Sequence, residues 1–219
     1  KYDPDNTMKY DQNDFEMICN EVTDSNCLAI RVDDDRYSDW DSFAAYWKQA
    51  GSLITSASGL GITSDDATAD MLVANDLGVD VDIIASGGSG DNVTFLLNGT
   101  TDFLMGNVSE MVAAHNDGQF KILCVFAEER DSNLPDVPTY EELTGNLVVG
   151  CSSRGYAMLK DVPDDIKQIL GDAVKAAVQD PDLIEQLNAI YTTTDYKEGQ
   201  EYVDYMNQQQ QQARETWGV

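Results

Sequence analysis

The chain has 219 residues, 42% of them hydrophobic, which is enough for one large domain or two small lobes with real cores and excludes a disordered tail. Its formal net charge is −27, from 40 Asp and Glu against 13 Lys and Arg, a field that repels phosphate backbones and anionic membranes and sets nucleic acid aside as a partner. The same field opposes an anionic ligand, so local N–H groups, hydroxyls or a placed Arg would have to overcome it, with salt screening the repulsion beyond about 10 Å.

No apolar run reaches the roughly 18 residues of a membrane span, and no charged-then-apolar leader is present. The chain starts at Lys1 rather than Met, so an upstream segment is expected to have been removed or left out. Cys19, Cys27, Cys124 and Cys151 show neither CxxC nor Cys/His spacing, so no metal site is expected. They allow three disulfide pairings or four free thiols.

In chain order, the stretch from Tyr10 to Val22 starts polar and becomes a strand, and Cys27 to Val32 gives a second short strand. Trp40, Phe43 and Trp47 stand at helical spacing and read as core, with Gly51 as the stop. Leu53 to Thr55 is a buried strand that runs into the loop Ser56-Ala57-Ser58-Gly59-Leu60-Gly61. Thr63 or Ser64 caps the helix that follows, Asp65 and Asp66 lie in its first turn, and Gly78 ends it. A Gly/Ser loop at a helix start exposes unpaired N–H groups at the positive end of the dipole, so this loop is the best candidate anion site. Gly59-Leu60-Gly61-Ile62-Thr63-Ser64 also comes close to the dinucleotide fingerprint, with Asp80 or Asp82 downstream, but the third glycine is missing. A tight turn without a ligand is the plain alternative.

The junction type then repeats. Val79 to Ala85 is a strand feeding Ser86-Gly87-Gly88-Ser89-Gly90 and a helix Asp91 to Leu97. Thr101 to Gly106 is a strand feeding Asn107-Val108-Ser109-Glu110, which has the form of a capping box. If the sheet is parallel, these three mouths lie side by side at the carboxyl ends of its strands, where open α/β sheets bind ligands. A strand Lys121 to Phe126, the stiff loop Leu134 to Thr139, a capping box Thr139 to Glu142 and a return strand Leu147 to Val149 come next. Arg154 follows among small residues; its planar fork suits a carboxylate, and a surface ion pair is the other reading. The remainder is helical. Pro163 opens a helix with an apolar face of Ile166, Ile169, Leu170, Ala173, Val174 and Ala177, Asp180-Pro181 restarts a short one, and a last amphipathic helix runs from Tyr202 to Trp217, with Gln208 to Gln212 on its solvated face.

Tyr10-Asp11-x-x-Asp14-Phe15, the Ser-Ala-x-Gly-x-Gly loop at 56–61, Gly87-Gly88, Asn98-Gly99-x-x-Asp102, Gly106-Asn107-x-Ser109-Glu110, Leu134-Pro135-Asp136-Val137-Pro138-Thr139 and Arg154-Gly155 together resemble the tripartite tricarboxylate transporter receptors, the Bug-type extracytoplasmic solute-binding proteins. The resemblance runs from about Tyr10 to Trp217. It implies an α/β, periplasmic-binding-protein-like fold of the second type with two lobes. It also implies a small organic anion, a di- or tricarboxylate or similar, held in the interlobe cleft and delivered to membrane permease subunits. Two departures stand out. Nothing matches the usual N-terminal segment with its Pro-Gly-Gly-Gly loop, and Ile84-Ala85-Ser86 replace the usual Pro-Tyr-Lys.

On this resemblance, 1–22 and 151–219 form a first lobe whose N-terminal part is absent from this chain, and 23–150 a nearly complete second lobe. Cys19 and Cys151 would fall on the two crossing hinge strands. Self-association through the incomplete first lobe would follow. The ligand's anionic group is expected at Ser56, Ser58, Gly59 and Gly61, helped by Ser86, Gly87, Gly88, Asn107 and Ser109, with Arg154 reaching the cleft. The protein is expected to be periplasmic or otherwise extracytoplasmic, secreted or lipid-anchored through a segment not present here. No cofactor is expected. The alternatives are a ligand-sensing domain, which shares every binding feature, and a hydrolase, which lacks parts: His115 is the only histidine and no G-x-S-x-G elbow occurs.

Overall fold

A computed structural model describes residues 12–59 and 61–219. Tyr10 and Asp11, which begin the first expected strand, lie outside the described residues. The chain divides into two compact units, one of Asp24–Ser152 and the other taking in the chain up to Thr23 together with Ser153–Val219.

The two strands expected at the start are one. β1 runs without a break over Phe15–Arg31, 17 residues, so its first part belongs to one unit and its second part to the other. The polar stretch Asp24-Ser25-Asn26 does not interrupt it, because side-chain hydrogen bonds satisfy the buried Asp24 and the amide N–H of Asn26. Buried polar groups are tolerated where they find partners.

In the Asp24–Ser152 unit, β1 pairs antiparallel with β4 (Leu104–Asn107) on one side and with β5 (Phe120–Val125) on the other. Leu28 and Ile30 point into one core and Cys27 and Ala29 into a second, so this half of β1 is buried on both faces. The first core is aromatic: Trp40, Phe43 and Trp47 of α1 (Trp40–Ala50) stack edge-on or tilted among Tyr37, Phe103 and Tyr140, and the Trp47 indole N–H donates to the Asp80 carbonyl at 2.8 Å. The expected reading of those aromatics holds.

β2 (Ser52–Ala57), α2 (Asp65–Leu77) and β3 (Asp80–Ala85) make a parallel β-α-β unit, in register from Ser52 opposite Asp80 to Ala57 opposite Ala85. Ser64 is the N-cap of α2 and Gly78 its left-handed C-cap. α3 (Ser89–Leu97) and α4 (Val108–Asn116) follow β3 and β4. The three strand-to-helix mouths do not share one parallel ladder, however. β4 gives its hydrogen bonds to β1, and it meets β2 through Asp102, whose backbone N–H donates to the Ile54 carbonyl and whose carboxylate accepts the Ile54 N–H. Thr139 and Glu142 form the expected capping box at α5 (Tyr140–Thr144). The return strand expected at Leu147 to Val149 is absent; the ladder begins at Cys151 instead.

In the other unit, the first half of β1 pairs antiparallel with β7 (Thr194–Glu198), a strand the sequence reading missed, and β6 (Cys151–Leu159) also pairs with β1. α6 (Asp164–Val178), α7 (Pro181–Ala189) and α8 (Gly199–Trp217) complete it. Its buried apolar residues among those described are Cys19, Val22, Val178 and Tyr202, while Ile166, Ile169 and Leu170 on α6 are exposed. The four cysteines are free thiols, with Cys27 and Cys124 fully buried.

Gly155 lies on β6 where a side chain has no room: a Cβ would stand 2.4 Å from the Cys19 carbonyl oxygen and 2.6 Å from the Tyr202 hydroxyl. Gly171, inside α6, has open space around it. Gly155→Ala is therefore expected to cost about 1–3 kcal/mol through overpacking, whereas Gly171→Ala should stabilise by up to about 1 kcal/mol through helix propensity. Urea midpoints of the two variants check both signs.

Candidate ligand site

All the expected site residues but one lie in the Asp24–Ser152 unit. Ser56 stands one residue before the end of β2, fully buried, and its Oγ has no partner. Ser58 and Gly59 follow, exposed, and Gly59 at φ +105° and Gly61 at φ +71° take left-handed conformations that turn the chain into a 3-10 turn at Gly61–Thr63 before α2 begins.

The structure ties the first two mouths together. The Ser86 N–H and hydroxyl both donate to the Ala57 carbonyl, at 3.0 and 3.1 Å, and Asn92 of α3 donates its amide to Ser58 Oγ at 3.4 Å. The third mouth is held differently. Asn107 is the N-cap of α4 but makes no side-chain cap, so the expected capping box is absent. Its amide instead donates to the Asp24 carbonyl at 2.9 Å, and its Oδ1 accepts from the Ser152 hydroxyl. The Ser109 N–H and hydroxyl both donate to the Asp24 carboxylate. Ser152, which the sequence reading passed over, also lies against the Asp65 carboxylate, so its one hydroxyl hydrogen is shared between Asp65 and Asn107.

Several N–H groups at or just before the helix starts are taken by side chains of the protein itself. The Ser58 N–H and the Asn26 amide donate to the Asp66 carboxylate, the Gly87 N–H to Asp91, the Gly88 N–H to Ser86 Oγ, and the Ser109 N–H to Asp24. At each mouth a short side chain of the protein takes at least one backbone donor. A Ser or Asp close to a helix start is the sequence signal for this, since such residues are natural partners of its unpaired N–H groups.

Arg154 stands on β6 in the other unit and is exposed. That unit carries further polar residues unforeseen from sequence: Ser153 shares a 2.6 Å hydrogen bond with the Tyr205 hydroxyl, and the Lys197 ammonium lies 4.9 Å from the Tyr205 ring centre while pairing with Asp195.

Burial pushes the Asp66 carboxyl up to about 7, helped by the charges of Asp65 and Glu110 and opposed by its hydrogen bonds from Ser58 and Asn26. Asp70, one helical turn further along α2 and fully buried with neither oxygen partnered, is raised well above the usual range by burial and by Asp66. Between its ordinary pKa of 3.8 and about 7, the folded chain holds a proton on Asp66 that the unfolded chain has released. The stability this carboxyl contributes is therefore complete below about pH 4 and lost as pH rises through about 7. Asp66→Asn should remove this contribution, on the order of 4 kcal/mol of pH dependence. Urea midpoints between pH 4 and 9 should fall more steeply for the wild type than for the variant.

A family model described as the tripartite tricarboxylate transporter family receptor matches residues 4–216. A UPF0065 protein encoded in the TAR-I ttuE-ttuC' intergenic region of Agrobacterium vitis is 28% identical over 154 residues, covering 69% of this chain and 43% of that relative. The chain thus spans less than half of that relative's length. Among solved structures, a TctC solute-binding protein from Polaromonas is 25% identical with a TM-score of 0.78, covering 95% of this chain and 71% of its own. MatC from Rhodopseudomonas palustris, solved with bound malate, is 22% identical with a TM-score of 0.77 over 97% of this chain and 72% of its own. A second R. palustris protein, solved with adipate, is 19% identical with a TM-score of 0.78 over the same shares. These last two share the fold, which is the α/β, periplasmic-binding-protein-like one.

Proposed function

Because the chain belongs to the tripartite tricarboxylate transporter receptor family, we propose that it captures a small carboxylate-bearing solute outside the cytoplasm and delivers it to a membrane permease. The observation that carries this reading is the family match over residues 4–216, which takes in all three mouths and Arg154. The malate and adipate held by the two R. palustris proteins, both dicarboxylates, support the ligand class. Among the described residues no helix is long and apolar enough to cross a membrane.

The protein acts as a binder and not as an enzyme on this reading. The Polaromonas relative is a solute-binding protein, and the one histidine, His115, accepts the Ile122 N–H on its Nδ1 at 3.2 Å, which gives that nitrogen to the fold rather than to a nucleophile. The lobes assigned to 1–22 with 151–219 and to 23–150 belong to the same proposal. The exposed Ile166, Ile169 and Leu170 fit a first lobe that packs against further structure.

The test is a thermal-shift and calorimetric screen of the full-length protein with malate, adipate and other di- and tricarboxylates. A ligand at 100 times its Kd should add about 2.7 kcal/mol of stability. Ser58→Asp and Gly59→Asp should each abolish that gain with the fold intact. Ser58→Asp is the cleaner variant, since φ at Gly59 strains any side chain. Unchanged affinity in both removes this loop from the site. Arg154→Lys keeps the charge but loses the planar fork, so affinity should fall.

A further inference from the structure

Resting on the solute-binding reading, we infer that Asp66 and the solute compete for one backbone donor: ionised, Asp66 holds the Ser58 N–H, and on taking a proton from solvent it releases that N–H to the solute's carboxylate.

The geometry lies within the Asp24–Ser152 unit. Ser58 is exposed in the loop that follows β2, whereas Asp66, in the first turn of α2, is only 7% exposed. The Asp66 carboxylate receives two neutral donors, the Ser58 N–H and the Asn26 amide N–H, the latter at 3.2 Å. A hydrogen bond to an ionised acceptor is roughly twice as strong as one to a neutral acceptor, so loss of the charge loosens the hold on Ser58. Asn26 also provides for the proton. Its Oδ1 is buried and accepts nothing, so a protonated Asp66 has an acceptor on the same amide that already gives it an N–H. An acid and a primary amide pair in this way through two parallel hydrogen bonds, which satisfies both buried groups without Ser58.

The surroundings favour that proton. The ionisable groups that face Asp66 are Asp65 and Asp70 on its own helix, Glu110 on α4, and Cys27 on β1, on which Asp24 also acts. β2, the turn at Gly61–Thr63 and β4 carry none, β6 makes its contact through Ser152 against Asp65, and Asp80 and Asp82 stand at the end of β3 away from this loop. Burial, then the charges of Asp65 and Glu110, disfavour the ionised form, which brings the titration of Asp66 to about 7. A solute carboxylate at Ser58 adds one more negative charge beside it. Binding is therefore linked to proton uptake, and affinity is greatest below about pH 7 and falls as pH rises through it.

The experiment follows the full-length protein between pH 6 and 8.5, a range above the ordinary carboxyl pKa of about 4, with malate and adipate as probes. In the unliganded protein, amide NMR should show the Ser58 N–H shifting with a midpoint near pH 7, and Asp66→Asn should abolish that shift. A probe that binds should do so about fivefold or more tighter at pH 6 than at pH 8.5. Calorimetry in buffers of different ionisation enthalpy should show protons taken up on binding, and Asp66→Asn should remove both effects. Asp65→Asn, which removes a like charge, should move the midpoint to lower pH. A Ser58 N–H that does not titrate, or the same pH dependence of affinity in the wild type and Asp66→Asn, overturns the inference and leaves carboxylate capture standing. Failure of malate, adipate and other di- and tricarboxylates to bind at any of these pH values removes the solute-binding reading, and this inference with it.

Discussion

The arrangement of the candidate site depends on the hydrogen bonds that Asp24 and Asn26 make from the middle of β1. Asp24 takes the N–H and hydroxyl of Ser109 on its carboxylate and the Asn107 amide on its carbonyl, which fixes the start of α4. Asn26 reaches Asp66 in the first turn of α2, and its backbone carbonyl accepts the Phe126 N–H at 2.9 Å. Two polar residues inside a strand buried on both faces thus hold two helix starts to one backbone. A buried polar side chain contributes only when it is satisfied, so this network constrains loop positions more sharply than apolar packing would.

The same network changes the electrostatics of the mouths. A helix start surrounded by glycine and serine ordinarily favours an anion. Here Asp24, Asp66 and Asp91 each take one backbone donor, from Ser109, Ser58 and Gly87, so an incoming carboxylate meets like charges beside the remaining N–H groups and hydroxyls. Repulsion of that kind is reduced when a carboxyl gives up its charge by taking a proton, as Asp66 does below about pH 7.

Family membership and shared fold therefore carry different weights. Membership rests on a match along nearly the whole chain, and the fold on TM-scores near 0.78 at modest identity. Neither fixes the ligand, because proteins that share this fold hold different acids, malate in one and adipate in another. The ligand class has to come from charge and hydrogen-bonding capacity at the site.

Much of the fold was legible in the residues themselves. Local signals have local causes: the spacing of Trp40, Phe43 and Trp47, the Ser64 cap, the Gly78 stop and the Thr139–Glu142 capping box are each set within a few residues, and each appears as read. Small-residue loops after apolar runs marked the three mouths for the same reason. Reading failed where long-range pairing decides. Whether Asp24 to Asn26 breaks a strand depends on Ser109, Asn107 and Asp66, from 40 to 85 residues away. Whether Cys151 to Leu159 forms a strand depends on β1, and β7 has no apolar alternation to announce it, being specified by its ladder with Cys19 to Val22. That internal carboxylates take the N–H groups of Ser58, Gly87 and Ser109 was also beyond sequence. The residue types were visible, but only the tertiary structure decides which Asp reaches which N–H, because a hydrogen bond needs a meeting of atoms within about 3 Å.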